Sequence, residues 1–160
     1  MSIWYFISVF LHIVLAAFWI GGMLFLPLVI LPGIKQHPDR IAILYKTGIK
    51  FRFYGWVALT ALLLTGLLNM YGRGMPFTWT FFRHSDYGRL VIWKLLIFMV
   101  IFMVSGTHDF LFGRKALEEM QASEHKNFKL LARWSGRINL LLALAMAFLG
   151  VVLSRGGSFL

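Results

Sequence analysis

A few ionisable side chains interrupt long apolar stretches of this chain, and chemistry is expected there first. His12 lies in the stretch 3–31, which holds no charged residue, and Lys94, His108 and Asp109 lie in a second stretch. Ionisable groups inside such stretches are expensive to bury and usually mark functional sites. Imidazole is the commonest metal ligand in proteins. We therefore take His12 and His108 as candidate metal ligands, with Lys94 as a candidate second ligand.

His12 shares one helical stripe with Ala16, Trp19 and Met23. Small residues on this helix would let another helix, or a flat macrocycle, approach closely. His12 is therefore interpreted as a metal or haem ligand, with Trp19 lining the same site. The alternative is a packing histidine that is hydrogen-bonded to a neighbouring helix.

His108 is the second candidate ligand, and Asp109 follows it directly. One interpretation is an interfacial cap in which Asp109 pairs with an arginine, because charges at a helix end are easily solvated. The other is a second haem ligand, with Arg52 and Arg137 on the haem propionates. These two interpretations stay open at this point.

Copper is the alternative chemistry, because thioethers and imidazole suit Cu(I). Met99 and Met103 lie one helical turn apart, and Met23 follows His12 on the same stripe. Methionine is also a common filler of apolar helices. The chain has no cysteine, which excludes disulfides, zinc–thiolate sites, iron–sulfur clusters and thiol catalysis.

Four apolar segments must position these residues. The 160-residue chain is 59% hydrophobic and only 14% charged, whereas a soluble domain has about a quarter of its residues charged. A membrane span needs about 20 apolar residues, and four windows meet or nearly meet that length: 3–31, 53–71, 90–112 and 134–154. The sequence predicts a single all-α domain over 1–160, an up-down four-helix transmembrane bundle.

The basic residues indicate the topology. Eleven of them flank the first and third connections, and four lie in the middle connection and the tail. The positive-inside rule places the first and third connections in the cytoplasm and both termini on the outer side. The net charge of +10 then reflects topology. The lipid bilayer of a bacterial inner membrane, and not nucleic acid, is the expected surrounding.

Depth separates the two histidines. At 1.5 Å per residue, His12 lies about 13 Å below the start of its span and Lys94 about 6 Å below the start of the third span. The first and third spans run parallel, so His12 and His108 differ by about 14 Å in depth. Two axial imidazoles on one iron lie about 4 Å apart at bond lengths near 2 Å. We therefore expect the histidines to serve separate sites. His12 could pair with Lys94, or with His84 if the middle loop folds down; the alternative for Lys94 is a snorkelling interfacial lysine.

Three segments resemble the CopD (copper-resistance D) membrane family: Leu11-His12 with Trp19-Ile20-Gly21-Gly22, Thr65-Gly66-Leu67-Leu68-Asn69, and Tyr87-Gly88-Arg89-Leu90 with Trp93-Lys94-Leu95. The related HemJ-type protoporphyrinogen oxidases share an early histidine, a tryptophan seven residues later and a lysine entering the third helix. This resemblance implies binding of b-type haem or porphyrin at His12 and Lys94. The family's link to copper implies a metal-handling role.

Three functions follow as hypotheses. The first is a membrane protein that binds haem b, in electron transfer or a porphyrin-related redox role; as an enzyme it would be a haem-dependent membrane oxidoreductase. The alternatives are a CopD-like copper transport or handling protein, and a cofactor-free structural subunit of a larger membrane complex. The expected partners are a redox protein, such a complex, or a second copy of the chain.

Overall fold

Long helices make up nearly all of the described chain. The computed structural model describes residues 2–109 and 128–156. Its elements are α1 (Ile3–Phe25), a π-helical turn (Leu26–Ile30), α2 (Leu31–Gly33), α3 (Arg40–Gly72), α4 (Trp79–His84), α5 (Asp86–Thr107) and α6 (Phe128–Ser154). Four helices are long and apolar enough to cross a membrane: Ile3–Gly33, Arg40–Gly72, Asp86–Thr107 and Arg133–Ser154. The predicted all-α bundle of four spanning helices is confirmed.

Two helices begin earlier than hydropathy predicts. α3 begins at Arg40 instead of near residue 53, and α6 already includes Phe128, ahead of the predicted start at 134. A helix of 33 residues is about 50 Å long, whereas the hydrocarbon core is about 30 Å thick. The basic first turns of α3 therefore extend beyond the bilayer, where their charges are solvated. The predicted end of the third span at 112 lies outside the described residues.

One arginine shows how the helix ends are arranged. Arg73, directly after α3, donates hydrogen bonds to the hydroxyls of Tyr5 in α1 and Tyr87 in α5, and to the carbonyl of Leu153 in α6. The start of α1, the end of α3, the start of α5 and the end of α6 therefore meet at one end of the bundle. We call this the terminus end and the opposite one the loop end. The positive-inside prediction makes the terminus end the outer one.

A layer of apolar side chains fills the bundle interior between the two ends. Its buried members come from all four spanning helices: Trp19, Leu59, Phe98, Ile101 and Ala143. The Trp19 ring stacks on Phe51 with centroids 6.1 Å apart. A Cβ built on Gly55 would lie 2.7 Å from Cζ3 of Trp19, so a glycine there lets the indole pack against the α3 backbone. This apolar layer separates the polar side chains of the two halves.

Candidate metal site

His12 lies in the terminus half of the bundle and contacts α3. Its Nδ1 is 2.7 Å from Oγ1 of Thr65, and that hydroxyl donates to the carbonyl of Ala61 at 2.7 Å. A hydroxyl has a single hydrogen to donate. When that hydrogen is on Ala61, Nδ1 must donate to Oγ1. The arrangement favours the Nδ1–H tautomer of His12, which leaves the Nε2 lone pair for a ligand.

A second hydrogen bond fixes the register of α1 against α3. Ser8 lies one turn before His12 on the same face, and its hydroxyl donates to the carbonyl of Thr65 at 3.4 Å. Both Ser8 and Thr65 are buried. A Cβ built on Gly66 would lie 3.5 Å from Cε1 of His12, so the backbone of α3 lies against the imidazole. The ring is therefore held in one orientation by its surroundings.

Lys94 reaches the same site from α5. It lies close enough to His12 for its charge to act on the imidazole. A Cβ built on Gly150 of α6 would lie 3.5 Å from Nζ of Lys94. The ion pairs within residues 2–109 and 128–156 are Asp86–Arg89 and His108–Asp109, so no described carboxylate pairs with Lys94. All four spanning helices thus meet around His12 and an uncompensated amine.

His108 belongs to a different cluster, at the loop end. Its Nδ1 is 3.0 Å from Oδ1 of Asp109, while Oδ2 accepts a hydrogen bond from Nε1 of Trp56 at 3.1 Å. Arg52 donates to the backbone carbonyl of Asp109 at 3.2 Å, and not to its carboxylate. The predicted arginine contact at Asp109 is therefore present with a different acceptor atom, and this cluster ties α3 to the end of α5.

The two other predicted site residues lie apart from both clusters. Arg137 is exposed, and its guanidinium lies over the Trp134 ring on the same helix, 5.4 Å from the ring centroid. Trp19 is 7% exposed, and its indole N–H has no hydrogen-bond partner within the described residues. Trp19 belongs to the apolar layer. The structure thus brings His12 and Lys94 together and does not bring His108, Arg52 or Arg137 to them.

The methionines named for copper do not gather around His12. Met99 and Met103 are 57% and 58% exposed on α5, and Met23 packs against the apolar layer. Met146 of α6, which sequence reasoning missed, also packs against that layer. The sequence signal for Met146 was that it lies four residues before Gly150, and therefore on the same face of the helix. Among the described residues, no group of three or more His, Asp or Glu side chains could hold a metal ion together.

The fold and the interior polar residues define the class of this protein: it is a multi-pass membrane protein. A family model described as CopD, copper resistance protein D, matches residues 46–153. An uncharacterized protein of Aquifex aeolicus (strain VF5) is 36% identical over 149 residues, which cover 92% of this chain and 93% of that protein. No solved structure matches the chain. The chain belongs to the CopD family, and the resemblance to CopD noted from its sequence is confirmed, whereas the relation to HemJ-type oxidases stays a prediction.

Proposed function

We propose that this protein handles copper within a bacterial inner membrane, with His12 as its central ligand and the terminus end outside. The observation that carries the proposal is the hydrogen bond between Nδ1 of His12 and Thr65. A metal-binding histidine commonly donates its other ring N–H to a neighbouring acceptor, which fixes its tautomer and orientation. The description of the matching family model names copper, and imidazole suits Cu(I). The ion is cargo in this proposal.

Interior methionines support Cu(I) as the ion. Met70 lies five residues beyond Thr65 on α3, toward the terminus end, and packs partly buried against the bundle interior. Met146 lies four residues before Gly150 on α6, toward the loop end, and packs partly buried against the apolar layer. Thioethers are soft ligands on flexible side chains. Soft donors therefore lie on both sides of His12 along the bundle.

Lys94 gives the site a property that suits transport. A protonated Lys94 beside His12 would oppose the binding of any cation, because like charges repel strongly where water is scarce. An ion that must cross has to bind well enough to enter and weakly enough to leave. Lys94 therefore keeps the affinity of His12 for Cu(I) in a range that permits release.

The direct test is a Cu(I) titration of the purified protein in detergent, in competition with a chelator of known affinity. The absence of cysteine means that no thiol of the chain competes for the ion. We expect one Cu(I) per chain to be retained against the chelator. A Cu(I) affinity no higher than that of exposed histidines such as His37 and His84 would contradict the proposal.

A b-type haem is the second candidate, and the proximity of His12 and Lys94 favours it. The two side chains offer nitrogen ligands from different helices, and a bound haem would supply one-electron chemistry. The residues fit such a group only in part, because the two arginines named for haem propionates, Arg52 and Arg137, were assigned to a haem at His108 and lie toward the loop end. A Soret band after expression with added haem would favour this candidate over copper.

Replacing Thr65 by valine is expected to weaken Cu(I) binding about 10- to 100-fold, the usual effect of removing a hydrogen-bond partner of a metal ligand. Valine keeps the shape of threonine but removes the hydroxyl that Nδ1 of His12 contacts. The imidazole then loses the side-chain partner that favours one tautomer and orientation. Chelator competition measures the change. Thr65→Ser is the matched control, because it retains the hydroxyl, and equal affinities of the two variants would show that Thr65 does not position His12.

A further inference from the structure

An open cavity lies at the terminus end, between the connection that follows α3 and the last turn of α6. Its volume is about 710 Å³. Arg73 is the one charged residue of its lining, which comprises Gly72, Arg73, Gly74, Met75, Leu153, Ser154 and Gly156. The cavity is separate from the His12 site, and the proposed copper handling makes no use of it.

The Arg73 guanidinium is held rigidly at this cavity. Its Nε donates to the Tyr5 hydroxyl at 2.8 Å. Its Nη1 donates to the Tyr87 hydroxyl at 2.9 Å and to the carbonyl of Leu153 at 3.4 Å. Nη2 donates to no group within residues 2–109 and 128–156, so it has two N–H groups to offer a ligand. A guanidinium already fixed by three helices loses little side-chain freedom when it binds one.

The charge of Arg73 has no counter-ion in the described part of the chain. Its hydrogen-bond partners are two hydroxyls and a carbonyl. Asp86, the described acid at this end of the bundle, pairs with Arg89. The hydrogen bond with Tyr5 raises the pKa of Arg73, so the guanidinium stays charged throughout the physiological range. A fixed cation without a described counter-ion at an open cavity favours the binding of an anion.

The surroundings of the cavity indicate which anion reaches it. Trp4, Tyr71 and Trp79 are exposed at this end, and such aromatic side chains collect at the depth of the lipid headgroups. Gly74 and Gly156 have φ angles of +68° and +105°. Neither has an atom within 4 Å of a Cβ built on it. These two glycines therefore leave room for a headgroup beside Arg73.

We propose that Arg73 binds the phosphate of an anionic phospholipid in this cavity. The planar guanidinium matches phosphate oxygens with parallel hydrogen bonds. The bound lipid would bridge the end of α3 and the end of α6, since both line the cavity. Phosphatidylglycerol is a suitable probe, because its phosphate is its only charged group.

Lipid binding to the full-length protein in detergent tests this site. Native mass spectrometry counts the phosphatidylglycerol that each chain retains during a titration. We expect Arg73→Gln to weaken this binding about tenfold, the loss of one charge-assisted contact. Arg83→Gln is the matched control, because Arg83 is an exposed arginine of α4 outside the cavity lining. Equal effects of the two variants would overturn the proposal, since net charge alone would then explain the binding.

A second pair of variants leaves the contacts of Arg73 in place. Ser154 lines the cavity and is exposed. A carboxylate at this position would compete for the guanidinium, so we expect Ser154→Asp to weaken lipid binding several-fold and the neutral Ser154→Asn to leave it unchanged. Unchanged binding in Ser154→Asp would overturn the proposal. Displacement of the lipid by millimolar inorganic phosphate would also overturn it, because the site would then take free phosphate.

Discussion

Replacing His12 by alanine is expected to lower the affinity for Cu(I) by at least about 100-fold, because even outer partners of a metal ligand change affinity 10- to 100-fold. His12 supplies the one imidazole of the described residues at the level of Thr65 and Lys94. The partly buried methionines Met70 and Met146 lie about one helical turn from Thr65 and Gly150, so we do not expect them to replace the lost nitrogen. Chelator competition with purified protein measures the change.

The control for His12→Ala is His84→Ala. His84 is exposed on the short helix α4 at the terminus end, and its loss should leave the Cu(I) affinity unchanged. Circular dichroism establishes whether both variants keep their helices. A correctly folded His12→Ala protein that binds Cu(I) as tightly as the unaltered chain would reject His12 as the ligand, and with it the proposed function.

The depth of each interior residue along the bundle axis could be predicted from the sequence. Helical rise is fixed by backbone hydrogen bonding, so it is nearly independent of side chains. The helical rise was therefore enough to suggest Lys94 as a neighbour of His12 and to place His108 at a different depth. In the structure, His12 contacts Thr65 and lies close enough to Lys94 for its charge to act on the imidazole, whereas His108 contacts Asp109 at the loop end. The apolar layer around Trp19 lies between the two clusters.

The direction in which side chains face could not be predicted in the same way. Hydrocarbon tails are as apolar as a protein interior, so hydropathy did not distinguish the exposed Met99 and Met103 from the partly buried Met146. Arg137 lies three residues after Trp134, and its guanidinium lies over that ring. The role of Thr65 was hidden as well, because helical threonines routinely bond their own preceding turn.

The apolar layer sets a requirement for the proposed copper transport. On the loop-end side of His12, the buried core of the described residues is apolar and includes Leu59, Phe98 and Ile101. An ion at His12 therefore has no polar side chain of that core to move to. Apolar constrictions of this kind block ions by excluding water. The structure therefore represents a state that is closed between the two ends. Copper bound at His12 could reach the loop end only if side chains of the layer moved, and Trp19 is the largest of them.

Replacing Lys94 by leucine is expected to tighten Cu(I) binding about tenfold. Two unit charges 4 Å apart repel by about 4 kcal/mol at an effective dielectric constant of 20. Relief of about one third of that repulsion corresponds to a tenfold change in affinity. Leucine fills similar volume and offers no metal ligand, so the charge and the amine of Lys94 are removed together. The same chelator competition measures the affinity, at pH 7 and constant salt.

The charge-retaining variant Lys94→Arg makes this prediction specific. Arginine keeps the repulsion, so its Cu(I) affinity should remain close to that of the unaltered protein. If leucine weakened binding instead, the amine of Lys94 would be acting as a ligand, and the haem candidate with His12 and Lys94 on one iron would gain over copper cargo. If binding tightens as expected, copper transport into vesicles should become slower, because an ion held more tightly at His12 leaves more slowly.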